Sequence, residues 1–219
     1  MLKDFVEIGQ IIQNAVVFNP QNWEKPWMEA DSLLSAVGRL FALLVERQVG
    51  YVLVGGVALL NYIEGRNTQD IDLIMALADL EKVPEIKVEK QDNPYFARGA
   101  FQGLQIDILL TKNPLFRQVQ QKYVVKRAFA EGEVLIATVE GLLLLKLYAL
   151  PSLYRQGDFV RVSIYENDIA ALMYAYQPDM EAILGELEGY VGAGDMRSLR
   201  EIVAEIEARI RRFRTSGGG

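Results

Sequence analysis

The chain has no cysteine and no histidine in its 219 residues. The first absence excludes disulfides, thiolate nucleophiles and cysteine-ligated metals. The second excludes histidine zinc sites and the imidazole general base. Any chemistry must rest on carboxylates, lysine, arginine, tyrosine or hydroxyls. Long apolar runs are missing too: the leucines Leu142–Leu145 fall far short of a membrane span and end at Lys146. The opening residues, MLKDFVEIGQ, lack the basic and apolar regions of a signal peptide, so the expectation is a cytoplasmic protein with no membrane partner. A basic surplus is also absent. Net charge is −6, which argues against a broadly basic nucleic-acid surface. The local exception is the last predicted helix, where Arg197, Arg200, Arg209, Arg211, Arg212 and Arg214 outnumber Glu201, Glu205 and Glu207. Such a run reads first as a solvated helix face complementing its own C-terminal dipole.

What remains is ordinary globular material. With 51% hydrophobic and 24% charged residues, the length suffices for one sizeable core, or one α/β domain with a helical appendage.

Tyr51–Met75, YVLVGGVALLNYIEGRNTQDIDLIM, organises the chain. Tyr51–Val54 is a β-branched and aromatic run, broken by Gly55-Gly56, a pair that leaves backbone amides unobstructed. Val57–Glu64 has apolar residues at helical spacing, and Gly65 can end that helix. Thr68–Met75 returns to period two, so Asp70 and Asp72 share one strand face while Ile71 and Leu73 take the other. Two adjacent carboxylates raise the pKa of at least one of them unless a cation lies between. Oxygen ligands suit Mg²⁺, with Mn²⁺ as substitute, and Mg²⁺ commonly arrives with phosphate. A Gly-Gly turn at a helix N-terminus offers amides and a positive dipole end to an anion. Singly, the glycines read as a tight turn and Asp-Ile-Asp as an exposed edge. Together they describe a site for a metal-bound triphosphate.

Elsewhere, Met1–Val17 is expected to form a short helix, followed by a loop carrying Trp23 and Trp27, and Ala30–Gln48 a longer helix with Leu33, Leu34, Val37, Leu40, Phe41, Leu44 and Val45 as its stripe. Ala78–Asn93 is irregular, with a strand around Ile86–Val88. Tyr95–Phe101 and Leu104–Leu110 form a hairpin around Gly103, with Asp107 between Ile106 and Ile108. By alternation alone, Asp107 is an outward-facing strand residue. From Asn113-Pro114 the chain turns helical, with Leu115–Lys126 a helix, Leu135-Ile136 a short strand, and Val139–Leu150 an apolar helix halted by Pro151. Lys146 lies in that helix among leucines, where a lysine snorkels to solvent or finds a specific anion. Asn167–Tyr176 is read as a helix with Asp168 in its first turn, pairing with Lys146 being a further role for that acid. Asp179–Tyr190 and Ser198–Phe213 are amphipathic, packing together or forming a dimer face. The expected division is an α/β domain over 1–135, a helical subdomain over 136–214 and a tail over 215–219.

The run GG-x-A-L followed by R-x-T-x-D-I-D-L resembles the signature of the nucleotidyltransferase superfamily, the DNA polymerase β-like fold, and is most similar to minimal bacterial members grouped with AbiEii-type toxins. The match is strong from Gly55 to Leu73 and continues more weakly to about Leu172. It implies an α/β (α+β) fold whose mixed sheet is flanked by helices. It also implies that Asp107 is the third carboxylate, joining Asp70 and Asp72 as metal ligands and catalytic residues. The reaction implied is Mg²⁺-dependent transfer of a nucleoside monophosphate from an NTP. Gly55 and Gly56 would cradle phosphates, Arg66 and Thr68 would line the approach, and Lys146, in an L-x-x-L-K-x-x-A helix, would face the nucleotide phosphates. Asp168-Ile169 matches a relative's K-D-x-x-D-I segment, but the Lys-Asp pair before it is replaced. The implied acceptor is tRNA or protein, with an antitoxin protein as partner. A small-molecule, aminoglycoside-type enzyme is one alternative, and a silent fold used for binding is another.

Overall fold

Apolar residues at helical spacing produce α1 (Ala30–Glu46), which buries Val37, Leu40, Phe41 and Leu44. Val45, expected in that stripe, faces outward at the edge of the apolar arc. The computed structural model describes Ile8, Ile12 and residues 30–64, 68–129 and 132–216. Ile8 and Ile12 are helical and buried; the remainder of the helix expected over Met1–Val17, with Trp23 and Trp27, lies outside the described residues.

After α1 come β1 (Tyr51–Val54), α2 (Gly55–Leu59), β2 (Asp70–Met75), α3 (Leu77–Leu80), β3 (Lys87–Asn93), β4 (Phe96–Phe101), β5 (Leu104–Leu110), α4 (Pro114–Lys122), β6 (Val124–Phe129) and β7 (Gly132–Ala137). Among the described residues these strands form one seven-stranded mixed sheet in the order β3-β4-β5-β2-β1-β7-β6. Neighbours run antiparallel except β2 with β5 and β1 with β7, which are parallel. The central strands carry the core: Leu53, Ile71, Leu73, Ile106 and Ile136 are fully buried. Each such side chain contributes about 1.5–3 kcal/mol on leaving water. α1 packs on β5 and β7, and α4 packs on β2, β5 and β6. The α/β class expected from the sequence is the class observed, with helices flanking a mixed sheet.

The details differ within this unit: the strand expected around Ile86–Val88 is Lys87–Asn93, and that expected at Leu135-Ile136 is Gly132–Ala137. α2 is five residues long and starts at Gly55 itself, rather than running over Val57–Glu64. The helix expected to reach Lys126 stops at Lys122, where Tyr123 leaves helical geometry and β6 begins. β6 is an edge strand whose Lys126, Arg127 and Ala128 are exposed, so its alternation is too faint to outweigh a helical reading.

The chain divides into two compact units, Met1–Thr138 and Val139–Gly219. The second is wholly helical where described: α5 (Val139–Gln156), α6 (Phe159–Tyr176), α7 (Met180–Leu187) and α8 (Ala193–Ser216). α5 does not stop at Pro151 but passes through it. The proline costs one hydrogen bond, yet Leu150 and Leu153 on either side are buried, and packing against α6, α7 and α8 holds the helix beyond it. α5 ends instead at Gly157, left-handed at φ 67°. Asp158 then caps α6, its carboxylate accepting from the Arg161 amide at 3.1 Å. Asp168 therefore lies well inside α6, not in a first turn. No described helix is long and apolar enough to cross a membrane.

Candidate active site

β1 delivers the chain to Gly55 at the centre of the sheet, and β2 lies beside it with Val54 opposite Asp72. On β2, Ile71 and Leu73 are buried while Asp70 and Asp72 are half-buried on the other face. β5 runs parallel to β2 in a register that sets Asp72 opposite Asp107, and β4 sets Arg98 opposite Asp107. One cross-strand row thus reads Arg98, Asp107, Asp72, Val54. Directly paired residues put their side chains on the same face, which is what brings the carboxylates together. Asp70, Asp72 and Asp107 each offer an oxygen within 4.8 Å of the others.

Gly55 has φ +65° and lies against the Asp72 carboxylate; a β-carbon there would run into Asp72 Oδ2. At Gly56 a β-carbon would stand 2.5 Å from Thr68 Oγ1. The glycine pair therefore does more than turn the chain: it makes room for the carboxylate and for the threonine beside it. With only five residues, α2 supplies little of the macrodipole that a longer helix would turn toward an anion.

Thr68 is buried, and its hydroxyl donates to Asp70 Oδ1 at 2.8 Å, which orients that carboxylate. Asp107 is the most buried acid of the three and is held by a guanidinium. Arg98 Nε donates to Oδ1 and Arg98 Nη2 to Oδ2, both at 2.7 Å, and Gln105 Nε2 lies 3.4 Å from Oδ1. The Arg98 pKa is pushed up chiefly by these hydrogen bonds to Asp107. Burial opposes the shift, and the charges of Asp107, Asp70 and Asp72 add to it. Three converging carboxylates are the kind of oxygen donor set that a divalent cation neutralises.

Of the residues singled out in the sequence, Gly55, Gly56, Thr68, Asp70, Asp72 and Asp107 are brought together. Arg66 lies outside the described residues. Lys146 sits in the second unit, buried, its ammonium 2.7 Å from Asp168 Oδ2 and 4.3 Å from the centre of the Tyr165 ring. It does not snorkel. Arg98 is the residue that sequence reading missed, although a signal existed. Gln102-Gly103, at φ 47° and 84°, is a two-residue hairpin loop between Phe101 and Leu104. Counting back three residues on each side pairs Arg98 with Asp107.

No family model and no curated protein matches the sequence. Among solved structures the chain is similar to an antigenic nucleotidyltransferase-like protein from Paracoccidioides brasiliensis, at 16% identity over 78% of this chain and 93% of that chain, with TM-score 0.48. It is similar also to the antibiotic-resistance factor ANT(2'')-Ia. In that protein's solution structure the identity is 15%, over 83% of this chain and 96% of that one, with TM-score 0.46. In its crystal structure with adenylyl-2''-tobramycin the values are 14%, 80%, 97% and 0.49.

Proposed function

We propose that the chain transfers a nucleoside monophosphate from an NTP to an acceptor hydroxyl, releasing pyrophosphate, with Mg²⁺ or Mn²⁺ held by Asp70, Asp72 and Asp107. The observation that carries this reading is the convergence of three carboxylates on one sheet face beside a glycine turn whose missing β-carbons accommodate Asp72 and Thr68. The donor set fits the metal: it is all oxygen and contains none of the nitrogen or sulfur ligands that softer ions prefer. When bound, such an ion polarises a phosphoryl oxygen and acidifies a coordinated hydroxyl.

The chain's own residues then have distinct tasks. Asp70 and Asp72 bind the ion, with Thr68 fixing the rotamer of Asp70. Asp107 adds a ligand and accepts the proton of the acceptor hydroxyl. The Gly55-Gly56 turn receives the phosphates, its main chain bare of side chains next to the carboxylates. Lys146 is left out of this set because its ammonium is engaged by Asp168 and Tyr165.

The sequence resemblance supports tRNA or protein as acceptor, in the manner of a toxin, with an aminoglycoside-type small molecule as alternative. The test incubates the protein with each α-labelled NTP, Mg²⁺, and in turn total tRNA, a cell protein mixture and an aminoglycoside panel. Label transfer with pyrophosphate release is expected from the wild type and not from Asp72→Asn. NTP binding without transfer to any acceptor would make the chain a binding protein instead.

A further inference from the structure

Asp107 enters the centre already engaged. A carboxylate offers about four lone-pair positions, of which the Arg98 fork takes one on each oxygen and Gln105 lies near a third. A bidentate guanidinium pair of this kind is among the stronger charge-assisted contacts. The two partners differ in their freedom: the Arg98 side chain is 36% exposed and that of Asp107 8%. Arg98 can swing out to water along its own stem, whereas Asp107 is fixed in the sheet interior and cannot follow.

We propose that Arg98 is an internal counter-ion that keeps the third carboxylate in reserve, so that a divalent cation gains Asp107 only as the guanidinium leaves it. The inference rests on the metal reading of the centre and deepens it. A dication drawn in by Asp70 and Asp72 meets the positive fork on the same cross-strand row, and the two repel each other. Since both need Asp107 and only Arg98 has an open path, Arg98 is the group that yields. The resting centre then holds its carboxylates together without metal, and loading has two stages, first Asp70 with Asp72 and then Asp107. Arg98 is in this sense a positioning residue, acting through Asp107.

The test has two arms. In ¹⁵N-labelled wild-type protein, the Arg98 Nε–Hε resonance, assigned by its absence in Arg98→Lys, is followed during a Mg²⁺ titration. It is expected to start shifted and protected by Asp107, and to lose both properties as the centre fills. In the second arm, Mn²⁺ alone is titrated into wild type, Arg98→Lys and Arg98→Met and monitored by electron paramagnetic resonance. Arg98→Met should bind about tenfold more tightly or better, the usual scale for removing a neighbouring like charge, and Arg98→Lys should fall between. An Arg98 resonance unmoved at saturating Mg²⁺ overturns the inference while leaving the metal reading intact. So does an Arg98→Met affinity no tighter than wild type. Absence of any metal binding by wild type overturns both. Should Arg98→Met fail to fold, the wild-type resonance decides alone.

Discussion

At Gly55 the space a side chain would need is occupied by the carboxylate of Asp72, and the backbone is left-handed at φ +65°. Gly55→Ala therefore meets two penalties, the strain of a β-carbon at positive φ, about 1–2 kcal/mol, and displacement of a ligand. The expected outcome is a melting temperature lower by several degrees together with weakened Mn²⁺ binding, read by thermal unfolding and metal titration; an unchanged affinity would free Asp72 from dependence on this turn. Asp72→Asn should behave oppositely on stability. It removes one of three converging charges while keeping the shape, so the melting temperature should hold or rise as metal binding is lost. A large fall in melting temperature would show that Asp72 is structural. At this scale the two aspartates of β2 were legible because period two alone puts them on one face. Asp107 could be assigned only through resemblance, since alternation makes it an outward residue and says nothing of the parallel register that sets it opposite Asp72. Arg98 was overlooked although the strand ends at Phe101 and Leu104 fix its register: pairing across a hairpin emerges only when residues are counted back from the loop.

Between elements, the informative contacts lie in the helical unit. Lys146 on α5 and Asp168 on α6 are each about 7% exposed at the side chain and paired at 2.7 Å. Lys146→Met would leave Asp168 buried without its cation, a loss of about 3–5 kcal/mol by the usual cost of breaking a buried pair. Lys146→Met with Asp168→Leu should recover most of that loss in a denaturant titration. If the single variant were as stable as wild type, the pair would not be holding α5 to α6. Tyr154 on α5 donates to Glu166 on α6, and this hydrogen bond, first among the causes, pushes the tyrosine pKa up to about 12. The folded chain then keeps that proton where the unfolded chain, titrating at about 10, has lost it. The contribution to stability is fully present below pH 10 and disappears as pH rises from about 10 to about 12. Absorbance titration at high pH should show one fewer late tyrosine in Tyr154→Phe than in wild type, Tyr51, raised by its burial, remaining late in both; identical curves would remove the contact. The sequence placed most helices and the β4–β5 hairpin, but it ended α5 at Pro151 and missed the start of α6. Gly157-Asp158 carried the correct stop and cap signals, outweighed in the reading by a proline that buried neighbours override. β6 escaped because an exposed edge strand has little apolar alternation to show.

For the whole molecule, every described residue of the proposed centre comes from the first unit, chiefly from α2, β2, β4 and β5. The sheet order is what makes this work: a parallel β2–β5 pair at its middle aligns carboxylates that are distant in sequence. The chain as a whole carries net charge −6, and three of its carboxylates converge at this centre. A triphosphate approaching such a surface is repelled until a divalent cation intervenes. The central claim is therefore tested most directly by isothermal calorimetry of NTP binding to the wild-type chain, in Mg²⁺ and again in EDTA. Binding that requires Mg²⁺ and vanishes in EDTA is the predicted result. An NTP affinity unchanged without the metal would contradict the account, since Asp70, Asp72 and Asp107 would then have no part in holding the nucleotide.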